Sequence, residues 1–134
     1  MNEDNSVPLV VSYESNLDTN VTAQFFRDTL NQHKWEYKFI GNGEKWNGFM
    51  TKIFAYRSFL QKLNRDKIIV LSDARDVICC RSPCSFMNSI LPIINDNKII
   101  VSAELFLQGH INWTPEKMQK DFAGFTIIIY NGKI

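Results

Sequence analysis

The stretch Lys67-Ile68-Ile69-Val70-Leu71-Ser72-Asp73-Ala74-Arg75-Asp76-Val77 constrains the fold of this chain more than any other. Ile68 to Leu71 is a short, largely β-branched apolar run bounded by polar residues, which predicts a strand buried on both faces in a mainly parallel sheet. Asp73 and Asp76 then fall at the C-terminal end of that strand. Open α/β sheets bind ligands in the crevice outside the carboxyl ends of their strands. Hard cations such as Mg²⁺ or Mn²⁺ favour carboxylate oxygens and leave positions open for phosphate oxygens, so a metal-bound diphosphate is the natural ligand for such a pair. A plainer reading stands beside it: Asp73 could cap the turn after the strand, and Asp76 could pair with Arg75 or Arg81 on a surface loop.

The rest of the chain alternates as an α/β protein does. Leu9-Val10-Val11-Ser12-Tyr13 predicts a first strand. Asp18 or Thr19 can cap a helix from Val21 to Gln32, with Phe26 and Leu30 on one face. Trp35 to Ile40 predicts a second strand, and Gly41 to Gly48 its exit loop. Phe49, Ile53, Tyr56, Leu60 and Leu63 recur at helical spacing and predict an amphipathic helix leading into the strand before Asp73. Ser85 to Ile90 predicts a short helix stopped near Pro92, and Asn95-Asp96-Asn97 a turn into a strand over Lys98 to Ser102. This order implies parallel strands joined by right-handed crossovers. From Leu105 to Asp121 the pattern degrades. Thr126-Ile127-Ile128-Ile129-Tyr130 predicts a last strand, an aggregation liability unless it joins the sheet. With no linker, repeat or low-complexity tract, residues 1–134 read as one domain.

Composition excludes several classes. A chain of 134 residues can bury roughly two-thirds of its unfolded surface. Its 45% hydrophobic and 22% charged content is that of an ordinary globular protein. The net charge of +1 gives no footprint for nucleic acid or an acidic membrane, and no apolar stretch approaches the ~20 residues that span a bilayer. Met1-Asn2-Glu3-Asp4-Asn5 is unlike the basic start of a secretory signal, so a cytoplasmic setting is the expectation. Cys79, Cys80 and Cys84 match no zinc spacing and are expected as buried or half-buried free thiols. Asn20-Val21-Thr22 and Asn112-Trp113-Thr114 match the glycosylation sequon, which has meaning only in a secreted chain.

Four segments in one order carry a resemblance that runs from about Pro8 to Pro115. Gly41-Asn42-Gly43-Glu44-Lys45-Trp46-Asn47-Gly48 resembles the G-x-G-E-x-W-x-G stretch of the glycosyltransferase domain in procollagen lysyl hydroxylases and the related collagen glycosyltransferases. Asp73-Ala74-Arg75-Asp76-Val77 resembles that family's metal-binding D-x-x-D-V, Ser82-Pro83 its S-P before a helix, and Ser102-Ala103-Glu104 its strand ending in S-A-E. The loop between Trp46 and Lys52 is shorter than in the animal enzymes.

The resemblance implies a GT-A fold whose Rossmann-like, nucleotide-sugar half this chain covers. It implies that Asp73 and Asp76 hold Mn²⁺ (or Mg²⁺) against the diphosphate of a UDP-sugar, that Trp46 lines the donor pocket and that Lys52 reaches phosphate. Tyr13 would hold the base, and Glu104 would line the sugar side of the pocket as the candidate catalytic residue. Arg75 stands between the aspartates where many relatives carry an aromatic or another residue, and would stack on uracil or contact the diphosphate. Taken alone, Trp46 also fits a core aromatic, Lys52 a solvated helix charge and Glu104 a strand-end surface carboxylate.

The family's Gly-rich segment, acidic run and late metal-binding His have no clear counterpart after Glu104, so the expected entity is a truncated domain. The function implied is hexose transfer from UDP-glucose or UDP-galactose, with a collagen-like hydroxylysine acceptor. The alternatives are an inactive UDP-binding remnant and a Mg²⁺-dependent phosphohydrolase. The last wants its second Asp two residues after the nucleophile, whereas Asp76 follows Asp73 by three.

Overall fold

The apolar run Leu9–Tyr13 forms strand β1, all five residues of which are buried. In the computed structural model, which describes residues 7–63, 67–94, 99–102 and 126–129, β1 is flanked on both sides by parallel partners. Strand β2 (Glu36–Ile40) pairs along one edge and strand β3 (Ile69–Leu71) along the other. Helix α1 (Val21–Gln32) connects β1 to β2, and helix α2 (Phe49–Leu60) lies between β2 and β3. Helix α3 (Pro83–Ile90) follows β3 and precedes strand β4 (Ile99–Ser102), and strand β5 (Thr126–Ile129) comes last. The sheet order is β2-β1-β3-β5-β4. The result is an α/β arrangement with a three-stranded parallel core flanked by helices, compatible with a Rossmann-like fold.

Period-two alternation sorts the strand residues onto two faces. Leu9, Val11 and Tyr13 of β1 and Ile69 and Leu71 of β3 pack with Tyr56 and Leu60 of α2. Val10 and Val70 face the other way and pack with Ala23, Phe26 and Leu30 of α1. Ile68 joins Ile90 of α3, supported by Phe86, Met87 and Ile100. Because both faces are covered, the central strands are buried at every position and apolar at all but Ser12, which is why they read as nearly continuous runs.

Several boundaries differ from the sequence expectation. Asn20, not Asp18 or Thr19, caps α1: its side chain accepts the Ala23 N–H at 2.9 Å. Asp18 lies too far upstream for that geometry and accepts instead from the Asn42 amide at 3.2 Å. The same Asn20 is the first sequon's asparagine, so its amide is engaged in the cap. Helix α3 starts at Pro83, earlier than Ser85, because Ser82 accepts the Ser85 N–H and proline is favourable at the first helical position. Helix α2 ends at Leu60, leaving Leu63 packed on the core from beyond the helix. At its other end Phe49 and Ile53 point to solvent, 79% and 53% exposed.

Strand β5 joins the sheet, as the exposed-edge argument requires, and lies antiparallel between β3 and β4. Apolar periodicity carries no information on strand direction, so the sequence left the direction of this last strand open. Its predicted end, Tyr130, and the stretch from Leu105 to Asp121 lie outside the described residues.

Candidate functional site

Since β1, β2 and β3 run in one direction, their C-terminal ends open on one edge of the sheet. The segments leaving them border a cavity of about 630 Å³. Tyr13, Glu14, Ser15 and Asn16 come from the end of β1. Trp46, Phe49 and Lys52 come from the β2 exit loop and the start of α2, and Asp73, Ala74, Arg75 and Asp76 follow β3.

Buried polar contacts lock these exits together. The Tyr13 N–H donates to the Tyr56 hydroxyl at 3.0 Å, and that hydroxyl donates to the Ser72 carbonyl at 3.2 Å. Ser12 Oγ donates to the same carbonyl at 2.7 Å. One α2 side chain therefore ties β1 to β3 immediately before the aspartates. Burial pushes the Tyr56 phenol up to about 12, so it stays a donor. Gly41 has φ +87°, and a side chain there would collide with the Tyr13 ring. The first glycine of the loop is thus required by backbone conformation and by the close approach of Tyr13. The loop is held down by the Gly43 N–H on the Ser15 carbonyl at 2.8 Å and the Leu17 N–H on Asn42 Oδ1 at 3.0 Å.

The aromatic wall begins with Tyr13, which is buried, its hydroxyl donating to Glu44 at 3.1 Å. Burial and the Glu44 carboxylate both raise its pKa above the ordinary tyrosine value. Trp46 lies 5.9 Å from the Tyr13 ring and 5.9 Å from the Phe49 ring, centroid to centroid, and is 45% exposed. This exposure answers the core-aromatic reading of Trp46. The ring has an open surface on the cavity.

Charge is arranged in pairs. Arg75 donates through Nε and Nη2 to the two oxygens of Glu14, at 2.9 and 2.8 Å. Glu14 is buried, takes a further hydrogen bond from the Asn16 N–H at 2.9 Å, and has its carboxyl held below the usual range chiefly by Arg75. The expected Asp76 partnership with Arg75 or Arg81 is therefore not formed: Arg75 is taken by Glu14, a bidentate fork that a second carboxylate cannot match. Lys52 pairs with Asp73, and burial lowers its pKa against the opposing pull of Asp76 and Glu14. Lys52 is thus a half-buried cavity cation, not a solvated helix charge. Asp76 is exposed and makes no hydrogen bond or ion pair among the described residues.

Of the residues expected from sequence, Tyr13, Trp46, Lys52, Asp73, Arg75 and Asp76 border this cavity together, and Glu104 lies outside the described residues. Glu14 and Tyr56 were not anticipated. The signal for Glu14 was available, since it follows a buried strand as Asp73 does. Tyr56 read only as an apolar position of α2. The thiols also depart from expectation: all three are free, but Cys80 and Cys84 are exposed and only Cys79 is half-buried. They lie on the connection into α3 and on its first turn, where Cys79 packs against the α1 face of the sheet.

Two carboxylates on one cavity wall suit a Mg²⁺-like cation, which binds through one or two carboxylates and completes its shell with phosphate and water oxygens. Among the described residues no three His, Cys, Asp or Glu side chains form a ligand cluster, so such an ion would depend on its substrate for further ligands. Nor, among them, is any helix long and apolar enough to cross a membrane.

No protein-family model matches the chain. An uncharacterized protein of Acanthamoeba polyphaga mimivirus is 28% identical to it over 89 residues, 60% of this chain and 20% of that protein. The chain thus spans about a fifth of the length of that relative.

Proposed function

We propose that the cavity binds the diphosphate of a UDP-sugar with Mn²⁺ or Mg²⁺, and that the chain is the nucleotide-sugar half of a GT-A-type glycosyltransferase of the procollagen-hydroxylysine kind. One observation carries this reading: six of the residues singled out by the sequence resemblance, on three separated segments, border a single cavity at the carboxyl ends of parallel strands.

Asp73 and Asp76 would hold the metal, which when bound neutralises charge on the departing diphosphate. Lys52 brings an ammonium to the same wall, a point charge suited to phosphate. Tyr13 and Trp46 offer aromatic surface to the base or sugar. Glu14 fixes the Arg75 guanidinium at the rim through Nε and Nη2, and among the described residues Nη1 is left for an anion or a planar ring. Orientation of the donor is what this half contributes. Transfer of hexose from UDP-glucose or UDP-galactose to a hydroxylysine acceptor needs an acceptor side as well. The second reading is a UDP-binding protein without transfer, and hexose addition to a hydroxylysine peptide separates the two.

The test is thermal unfolding with UDP in Mn²⁺ and in chelator. Stabilisation is expected only with the metal, because the diphosphate otherwise faces Asp76 and Asp73 as like charges, and Asp76→Asn should remove it. Equal stabilisation in chelator would sink the assignment.

A further inference from the structure

The cavity wall carries three carboxylates, Glu14, Asp73 and Asp76, and two cations, Lys52 and Arg75. Each cation is already matched, but the two pairs are built differently. Glu14 is buried, uses both oxygens on Arg75, and is anchored by the Asn16 N–H. That pair has no spare geometry. Lys52 instead places one ammonium on one oxygen, Oδ1 of Asp73, whose side chain is 44% exposed. Its flexible stem also leaves Nζ 6.0 Å from the Tyr56 ring centroid and under the attraction of Asp76 and Glu14. An ammonium on four methylenes in such surroundings can move a few ångströms without leaving anionic neighbours.

We propose that Lys52 is an exchangeable counter-ion for Asp73: its ammonium competes with a divalent cation for that carboxylate, and transfers to the diphosphate when metal and nucleotide bind together. This deepens the nucleotide reading of the cavity and rests on it. A cation on Oδ1 of Asp73 and the Lys52 ammonium on the same atom are like charges held a few ångströms apart, so each disfavours the other. On the second oxygen the cation would still lie beside a like charge in a partly desolvated site, where repulsion is stronger than in water. A diphosphate removes the conflict, since it offers the ammonium new oxygens and the metal new ligands. Metal binding and nucleotide binding are therefore positively coupled through Lys52, and by linkage the coupling acts equally in both directions.

Calorimetric titration tests this, with MnCl₂ alone and with UDP in saturating Mn²⁺, on the native chain, Lys52→Met, Lys52→Gln and Lys52→Arg. The two neutral variants are expected to bind Mn²⁺ alone about fivefold more tightly, the size of one partly exposed ion pair. They are expected to bind UDP in Mn²⁺ more weakly than the native chain. Lys52→Arg keeps the charge and should behave like the native chain toward Mn²⁺ alone. Effects of opposite sign do not arise from a loosened fold, which weakens both, and the Met and Gln variants differ enough in polarity that one tolerates the site if the other does not. Unchanged or weaker Mn²⁺ binding in the neutral variants, with UDP binding intact in the native chain, overturns the exchange role alone. A native chain that binds no UDP with any divalent ion overturns the nucleotide reading and this inference together.

Discussion

Helices α1 and α2 have the same length, twelve residues, and pack on opposite faces of the same strands, yet they use their apolar residues in different ways. Helix α1 opens on a side-chain cap from Asn20 and buries Ala23, Phe26 and Leu30 almost completely. Helix α2 opens on Gly48 at φ +90° with no side-chain cap, and Phe49, Met50, Ile53 and Phe54 are each more than half exposed. Only its second half, through Tyr56 and Leu60, enters the core. The difference shows where the fold stores stability and where it spends sequence on the cavity: α1 and the second half of α2 hold the sheet, whereas the first half of α2 carries Phe49 and Lys52 to the rim.

The largest effect should come from α1. Phe26 is 2% exposed and packs edge-on against Phe39 at 6.1 Å, so Phe26→Ala should lower unfolding free energy by ~3–5 kcal/mol in denaturant titrations. A loss under ~1 kcal/mol would mean that the α1 face is no better packed than the α2 rim.

Tyr56→Phe sharpens the contrast inside α2. It leaves the buried Tyr13 N–H without its partner and should cost ~1–3 kcal/mol, while the ring continues to fill its place. The ionisation of this residue gives a second signature. A phenol whose pKa is raised on folding from 10.0 to about 12 contributes stability that is complete below pH 10 and lost as pH rises toward 12. The native chain should therefore weaken across that window more steeply than Tyr56→Phe, as followed by denaturant midpoints at fixed pH. Parallel curves would show that the Tyr56 hydroxyl is not the tie between β1 and β3.

The smallest effect belongs to the exposed half of α2. Ile53→Gln should change stability by no more than ~0.5 kcal/mol, because Ile53 is 53% exposed and a helix surface tolerates glutamine well. A cost of the size expected for Phe26→Ala would dissolve the distinction between the two helices.

Much of this architecture was legible before any coordinates. Strands β1 and β3 were visible because strands covered on both faces must be apolar at successive positions, and α1 because Phe26 and Leu30 recur at helical spacing. The six cavity residues were found by position after strands and by motif order. The cap at Asn20 was missed because Asp18, Thr19 and Asn20 are all capping residues, and only the distance to the Ala23 N–H chooses among them. The exposure of Phe49 and Ile53 was missed because periodicity marks an apolar stripe without saying how far the sheet extends beneath it.

What the sequence by itself determined is the set of elements, their order and the acidic turn at the end of a buried strand, since these follow from local periodicity and backbone chemistry. The tertiary structure alone decided the antiparallel place of β5 and the partners of each charge: Glu14 with Arg75, Lys52 with Asp73, and Asp76 exposed. Both are long-range matters, because strand direction depends on the path of the connection and an ion pair depends on which side chains the parallel strand ends bring within a few ångströms.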